Sequence, residues 1–308
     1  MLKIYQQTIL TPVSFSGVGL HTGKSSTLTI LPGKEDEGIV FKRVDIKDNN
    51  KIKANFKNVS SAKLCTTLEN KFGIKVSTVE HLLAALYIAE IDNAVIEINN
   101  EEVPIMDGSS KVFLDELRKI KKKELNKKRK YLKILQKVEL LEGEKVISID
   151  TSDNSFEVDC QLNYKNKIIG NQRNVVNFLK DHLIEIYQSR TFCLFNDIEK
   201  IKKAGFAKGG SLDNAVVVND NEVLNEGGLR NDKEFVNHKI LDLAGDFLLS
   251  GHRVLGKVFS YQGGHELTNA FLRKLFNSKT AFEITELKET IIPKKTASNQ
   301  SIKLAVNA

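Results

Sequence analysis

His238, Asp242 and Asp246 stand at i, i+4 and i+8 in the run Phe235–Ser250, whose other positions are mostly apolar. At helical spacing, one stripe of a largely buried helix then carries three polar side chains. Such groups are costly in an apolar core unless they are paired, so any fold that uses this helix must satisfy them. An imidazole and a carboxylate one turn apart can both reach one Zn²⁺, which makes this a metal-ligand spacing.

A second element supplies complementary groups. Ser77-Thr78-Val79-Glu80-His81 opens a helical pattern, Thr78–Glu90, with Leu82, Leu83, Leu86 and Ile88 as its apolar positions. Ser77 followed three residues later by Glu80 also reads as a capping box, and taken alone this local reading of Glu80 is the simpler one. The pairing of Glu80-His81 in one half with His238 and Asp242 in the other supports a different assignment. A catalytic zinc needs three protein ligands, an open position, and a nearby carboxylate that takes a proton without binding the metal. His81, His238 and Asp242 meet that ligand count, and Glu80 is left as the general base. A binding protein with structural zinc would ordinarily fill four positions, and only three convincing ligands are present. His265 follows Gly263-Gly264 at the start of the helical pattern Glu266–Phe276, where it could protonate a leaving amine. A helix N-terminus opposes a protonated imidazole, so this role needs a compensating anion, and Asp246 is the candidate.

The chain has 308 residues, 41% hydrophobic and 28% charged, enough for one large or two medium domains with a real core. Cys65, Cys160 and Cys193 are widely separated and form no C-x-x-C pair, which argues against a disulfide framework and fits a cytoplasmic protein. Neither an export signal at the N-terminus nor a membrane-spanning run is expected. The net charge of +7 is local, because Lys119–Lys130 holds eight basic residues against Glu124. Without aromatics inside it, this run reads as a solvated linker rather than a nucleic-acid surface, though it could attract an anionic membrane. Gly23-Lys24-Ser25 has the end of a phosphate-binding loop, but the first glycine of that motif would fall at Val18, so an ATPase is not indicated.

Before the basic run, strand-like Ser25–Leu31, Gly38–Arg43 and Asn93–Ile98 accompany helical Thr78–Glu90 and Ser110–Ile120. After it come strand-like Val146–Asp150 and Phe156–Leu162, helical Leu179–Tyr187, the apolar run Ala215–Val218, helical Lys233–Leu249 and strand-like Val254–Tyr261. The expected fold class is α+β: two similar domains, residues 1–124 and 125–308, each a helix layer on a mainly antiparallel sheet, with the active site between them. The glycine-bearing stretch Asn196–Ser211 reads as an insertion or mobile loop within a segment spanning about 194–214.

The motifs Ser77–His81, Asp92-Asn93, Pro104–Ser109, Ser189-Arg190-Thr191-Phe192, Leu224-Asn225-Glu226, His238–Asp242 with Asp246, and Gly264-His265 together resemble those of the UDP-3-O-acyl-N-acetylglucosamine deacetylases, the zinc amidases of lipid A biosynthesis. The likeness runs over Tyr5–Phe276 with the motifs in order. It implies that His81, His238 and Asp242 bind Zn²⁺, that Glu80 activates the attacking water, and that His265, held by Asp246, protonates the departing nitrogen. By the same resemblance Thr191 stabilises the oxyanion, Lys239 meets the hexose and phosphates, and Phe192 contacts the sugar face. Leu194, Ile198, Ile201 and Gly210 would border a hydrophobic passage for the acyl chain. The implied partner is a UDP-sugar acyl amphiphile, not nucleic acid. The enzyme is expected to be a monomer that touches the inner membrane surface peripherally. His21 is placed near the site by the same analogy, while His182 and His252 are read as structural.

Overall fold

The computed structural model describes residues 2–288; the end of the expected second domain, 289–308, lies outside the described residues, as does Met1. Six helices are present among the described residues: α1 Glu80–Ile88, α2 Lys111–Lys119, α3 Ile184–Tyr187, α4 Phe195–Lys203, α5 Glu234–Leu248 and α6 His265–Asn277. The architecture is α+β in two domains, with sheets that are mostly antiparallel.

The alternation of apolar residues in Ser25–Pro32 and Ala94–Ile98 makes half-buried strands, and these form the middle of a five-stranded sheet. Its strand order is Val13–Val18, Ser25–Pro32, Ala94–Ile98, Ile39–Arg43, Lys51–Lys53, and only the pair Ala94–Ile98 with Ile39–Arg43 runs parallel. A seven-stranded sheet carries the second half. There Arg253–Tyr261 pairs antiparallel with Lys145–Thr151 and parallel with both Phe156–Asn163 and Lys130–Ile134.

Two buried helices join the halves. The sequence Glu-His-Leu-Leu-Ala-Ala-Leu-Tyr-Ile makes α1 apolar around most of its circumference, as a helix with no solvent face must be. Every residue of α5 except Lys239 is buried. The two cross at Gly245, where an added Cβ would lie 2.1 Å from the carbonyl oxygen of Glu80. Only a residue without a side chain permits this approach, and the crossing sets the first residues of α1 against the polar stripe of α5.

Three local expectations differ from the structure. The basic run is not a linker: Lys122–Lys128 is a strand paired antiparallel with Tyr5–Ile9, so residues 124 and 125 lie inside regular structure. Its Arg129 is buried and donates to Asp92 Oδ2 at 2.9 and 2.7 Å, while Arg253 donates to Asp92 Oδ1 at 3.2 Å. A carboxylate between two guanidinium groups offsets the cost of their burial, and this local charge thereby becomes part of the packing. The stretch Leu179–Tyr187 is helical only from Ile184, since the Asn177 carbonyl accepts the N–H groups of Lys180 and Asp181 in a preceding turn. Conversely, the stretch Asn196–Ser211, expected as an insertion or mobile loop, is helical over its first half, in the helix α4, which starts one residue earlier at Phe195.

Candidate metal centre and active site

His81 enters on the first turn of α1, and His238 and Asp242 enter one turn apart on α5. His81 Nε2 and His238 Nε2 lie 3.5 and 3.4 Å from the same atom, Asp242 Oδ1. One ligand atom from each residue falls within 4.8 Å of the others, and all three side chains are buried. These separations suit ligands about 2.0–2.2 Å from one shared tetrahedral ion. Asp242 Oδ1 is itself buried with no hydrogen-bond partner among the described residues. A carboxylate oxygen left bare between two imidazole nitrogens is the kind of group that a cation completes.

The protonation states agree with that fit. Burial pushes His238 down to about 3; Asp242 opposes this, while His81 and Lys239 add to it. The imidazole is therefore neutral, which is the ligating form. Its Nδ1 donates to the carbonyl of Ser189 at 3.1 Å, which fixes the tautomer that leaves Nε2 free. Burial pushes the Asp242 carboxyl up, but His238, Lys239 and His265 overcome this and hold it well below the usual carboxylate range.

Glu80 stands beside this trio without joining it. Its Oε2 accepts the N–H of Thr66 at 3.0 Å, and its Oε1 lies 3.7 Å from His265 Nε2. The capping-box alternative fails here: α1 has no side-chain cap, and the Ser77 hydroxyl donates instead to the Glu101 carbonyl. Burial raises the Glu80 pKa against the pull of His265 and His81, with Asp246 and Asp242 raising it further. His265 is the first residue of α6, and its Nδ1 contacts Asp246 Oδ2 at 2.7 Å. Burial alone would depress this imidazole, but Asp246, Glu80 and Asp242 outweigh it and raise the pKa to about 10. The anion that the helix N-terminus demands is thus in place. The remaining oxygen, Asp246 Oδ1, accepts the hydroxyl of Thr66 at 2.8 Å.

Lys239 stands three residues before Asp242 on α5, a spacing that makes the two side chains neighbours on the helix surface. Its Nζ reaches Asp242 Oδ2 at 2.9 Å and sits 5.7 Å from the centre of the Phe192 ring. Phe192 packs edge-on against Tyr164 and Phe235. From Thr191 and Phe192 a cavity of about 350 Å³ continues between α4 and Leu20, with Ile198, Ile201 and Gly210 in its wall. Leu194 is not in that wall; it packs against the core, and Phe195 takes its place. The far side of the insert is tied down by His21, whose Nδ1 accepts the Ala207 N–H at 3.3 Å, while the Gly209 N–H donates to the Leu20 carbonyl at 3.0 Å. Thr66 and Phe195 are the neighbours that sequence reasoning missed. Thr66 precedes a three-residue strand with no periodicity to mark it.

A buried pair of histidines with one aspartate, and a further buried carboxylate held just outside the trio, is the equipment of a metal-dependent hydrolase. Residues 6–277 match the family described as LpxC, UDP-3-O-acyl N-acetylglycosamine deacetylase, and the chain belongs to that family. It is 40% identical over 283 residues to the UDP-3-O-acyl-N-acetylglucosamine deacetylase of Pseudoalteromonas translucida (strain TAC 125), an alignment covering 91% of this chain and 93% of that protein. The protein of the same name from Geotalea uraniireducens (strain Rf4) is 40% identical over 295 residues, covering 96% of this chain and 95% of the relative. The one from Aliivibrio fischeri (strain ATCC 700601 / ES114) is 38% identical over 289 residues, with 93% and 94% covered.

Proposed function

We propose that this protein hydrolyses the acetamide of UDP-3-O-acyl-N-acetylglucosamine to UDP-3-O-acyl-glucosamine and acetate, a step of lipid A biosynthesis. The observation that carries this reading is the convergence of His81, His238 and Asp242 around the bare Oδ1 of Asp242, with Glu80 and His265 facing each other beside them. His81, His238 and Asp242 would hold zinc, whose chemistry is to polarise a carbonyl and lower the pKa of water towards about 7.

The protein's own groups supply the proton transfers. Glu80, its basicity raised by burial, takes a proton from the attacking water as the new C–O bond forms at the acetyl carbon. Thr191 donates its hydroxyl to the developing oxyanion, where a fixed dipole acts on charge that the ground state lacks. His265 enters the cycle protonated, because Asp246 and its neighbouring carboxylates favour the imidazolium, and gives its proton to the glucosamine nitrogen as the C–N bond breaks. Acetate leaves and the amine stays on the sugar. Lys239 and Phe192 meet the hexose and phosphate end, and the cavity past Ile198, Ile201 and Gly210 receives the acyl chain. The site draws on an N-terminal domain, 1–124, for Glu80 and His81, and on a C-terminal domain from 125 for the rest. The enzyme works as a monomer in the cytoplasm, with peripheral contact at the inner membrane surface where an acylated substrate resides.

The test is acetate release from UDP-3-O-acyl-N-acetylglucosamine by wild-type protein, after chelation, and after zinc is restored. Release that chelation abolishes and zinc recovers is expected. A zinc-loaded protein that releases no acetate would refute the reading. Glu80→Ala should keep its zinc and lose most turnover, whereas loss of the metal would make Glu80 a ligand instead of the base.

A further inference from the structure

Thr66, buried at the edge of the strand Thr67–Glu69, touches two carboxylates at once. Its N–H donates to Glu80 Oε2 at 3.0 Å and its hydroxyl to Asp246 Oδ1 at 2.8 Å. Its carbonyl accepts the N–H of Val79, the residue before α1, at 3.4 Å. The other oxygen of Asp246 holds His265 Nδ1 at 2.7 Å. We propose that Thr66 is a positioning residue that fixes the base Glu80 and the Asp246–His265 acid pair in one frame.

The physical ground is the freedom of a carboxylate. An ionised Asp offers about four lone-pair sites, so the contact with His265 alone leaves its plane free to turn. A hydroxyl on Oδ1 removes that rotation and leaves Oδ2 for the imidazole, which sets the direction in which Nε2 points. Because the same residue grips Glu80 through its backbone, base and acid cannot shift independently. The link also crosses the molecule: Thr66 immediately precedes the strand Thr67–Glu69 of the small sheet formed with Val59–Ser61 and Lys75–Val76, whereas Asp246 belongs to α5. Partners that orient a working group from behind are typically worth about 10- to 100-fold in activity or metal affinity.

This inference rests on the deacetylase reading of Glu80 and His265, and wild-type acetate release answers for that reading separately. Thr66→Val keeps the backbone N–H to Glu80 and removes only the hydroxyl; Thr66→Ser keeps both. In zinc-loaded enzyme, Thr66→Val should lose about 10- to 100-fold in kcat with KM and zinc content retained, and Thr66→Ser should recover most of it. Added to Asp246→Asn, the Val change should cost little more. A Val variant with wild-type kcat, a Ser variant as impaired as Val, or full-strength losses that multiply in the double variant would each overturn the proposal. A second readout needs no turnover: the low-field proton resonance of the His265–Asp246 hydrogen bond, assigned by its loss in His265→Ala. It should move in Thr66→Ala and stay in Thr66→Ser, and a resonance unmoved in both would also overturn it.

Discussion

Gly245→Ala tests whether the α1–α5 crossing sets the geometry of the site. The new Cβ would lie 2.1 Å from the Glu80 oxygen, 2.9 Å from its carbonyl carbon and 3.2 Å from the Ala84 nitrogen, whereas ordinary contact begins at 3.4 Å. All three obstacles are backbone atoms, so no side chain can rotate aside and the helices must part by about 1 Å. Overpacking of this kind costs about 1–3 kcal/mol. Replacing a helical glycine by alanine returns about 1 kcal/mol. The net loss, up to about 2 kcal/mol, lowers Tm by several degrees without unfolding a domain of ordinary stability. Function should suffer far more. Glu80 and its neighbour His81 move with α1 while Asp242 and Asp246 move with α5, so the shift opens the candidate metal site and the proposed base–acid pair together. A misplacement of about 1 Å costs on the order of 100-fold in rate. The measurements are thermal unfolding followed by circular dichroism, zinc content after equilibration, and acetate release. An alanine variant with wild-type turnover and full zinc occupancy would refute the claim that this crossing determines the site.

The cavity proposed to receive the acyl chain makes a second prediction. Gly210→Val places branched bulk into its wall and should lower kcat/KM for long-chain substrates relative to short ones, by up to about 0.8 kcal/mol, close to fourfold, for each methylene excluded. Equal losses for all chain lengths would show that the chain does not run past Gly210. Acid stability offers a third. Burial lowers the His252 pKa, and Lys130 and Lys53 lower it further, so the unfolded chain binds the extra proton. The stability that this imposes is present above the unfolded value near 6.5 and is lost as pH falls towards the folded pKa. His252→Gln should therefore show a smaller drop in Tm than wild type between pH 7 and 5, and equal drops would contradict the assignment.

Much of the site could be read from the chain because its parts are local. His238, Asp242 and Asp246 announce themselves at four-residue spacing in an apolar helix, and Glu80-His81 opens another largely buried helix. The motif order around them carries the family likeness. What sequence could not decide was which of two plausible partners each group meets. Ser77 and Glu80 have the spacing of a capping box, yet Glu80 turns inward to the Thr66 N–H. The family likeness sends Lys239 to the hexose and phosphates, yet its ammonium pairs with Asp242, three residues on along the same helix. The basic segment around Lys122–Lys128 shows no alternation that would mark a strand, and it becomes one because Tyr5–Ile9, more than a hundred residues earlier, pairs with it.

Periodicity and composition report how one element divides itself between core and solvent, and the sequence by itself therefore determined the buried polar stripe, the two helices that bear the candidate site and the α+β class. Tertiary structure alone decided the crossing at Gly245, the bare oxygen of Asp242 and the reach of Thr66 to Asp246, 180 residues away. Those are contacts between elements, and the free energy of a hydrogen bond or a close approach depends on where the partner atom stands, which no local pattern of residues records.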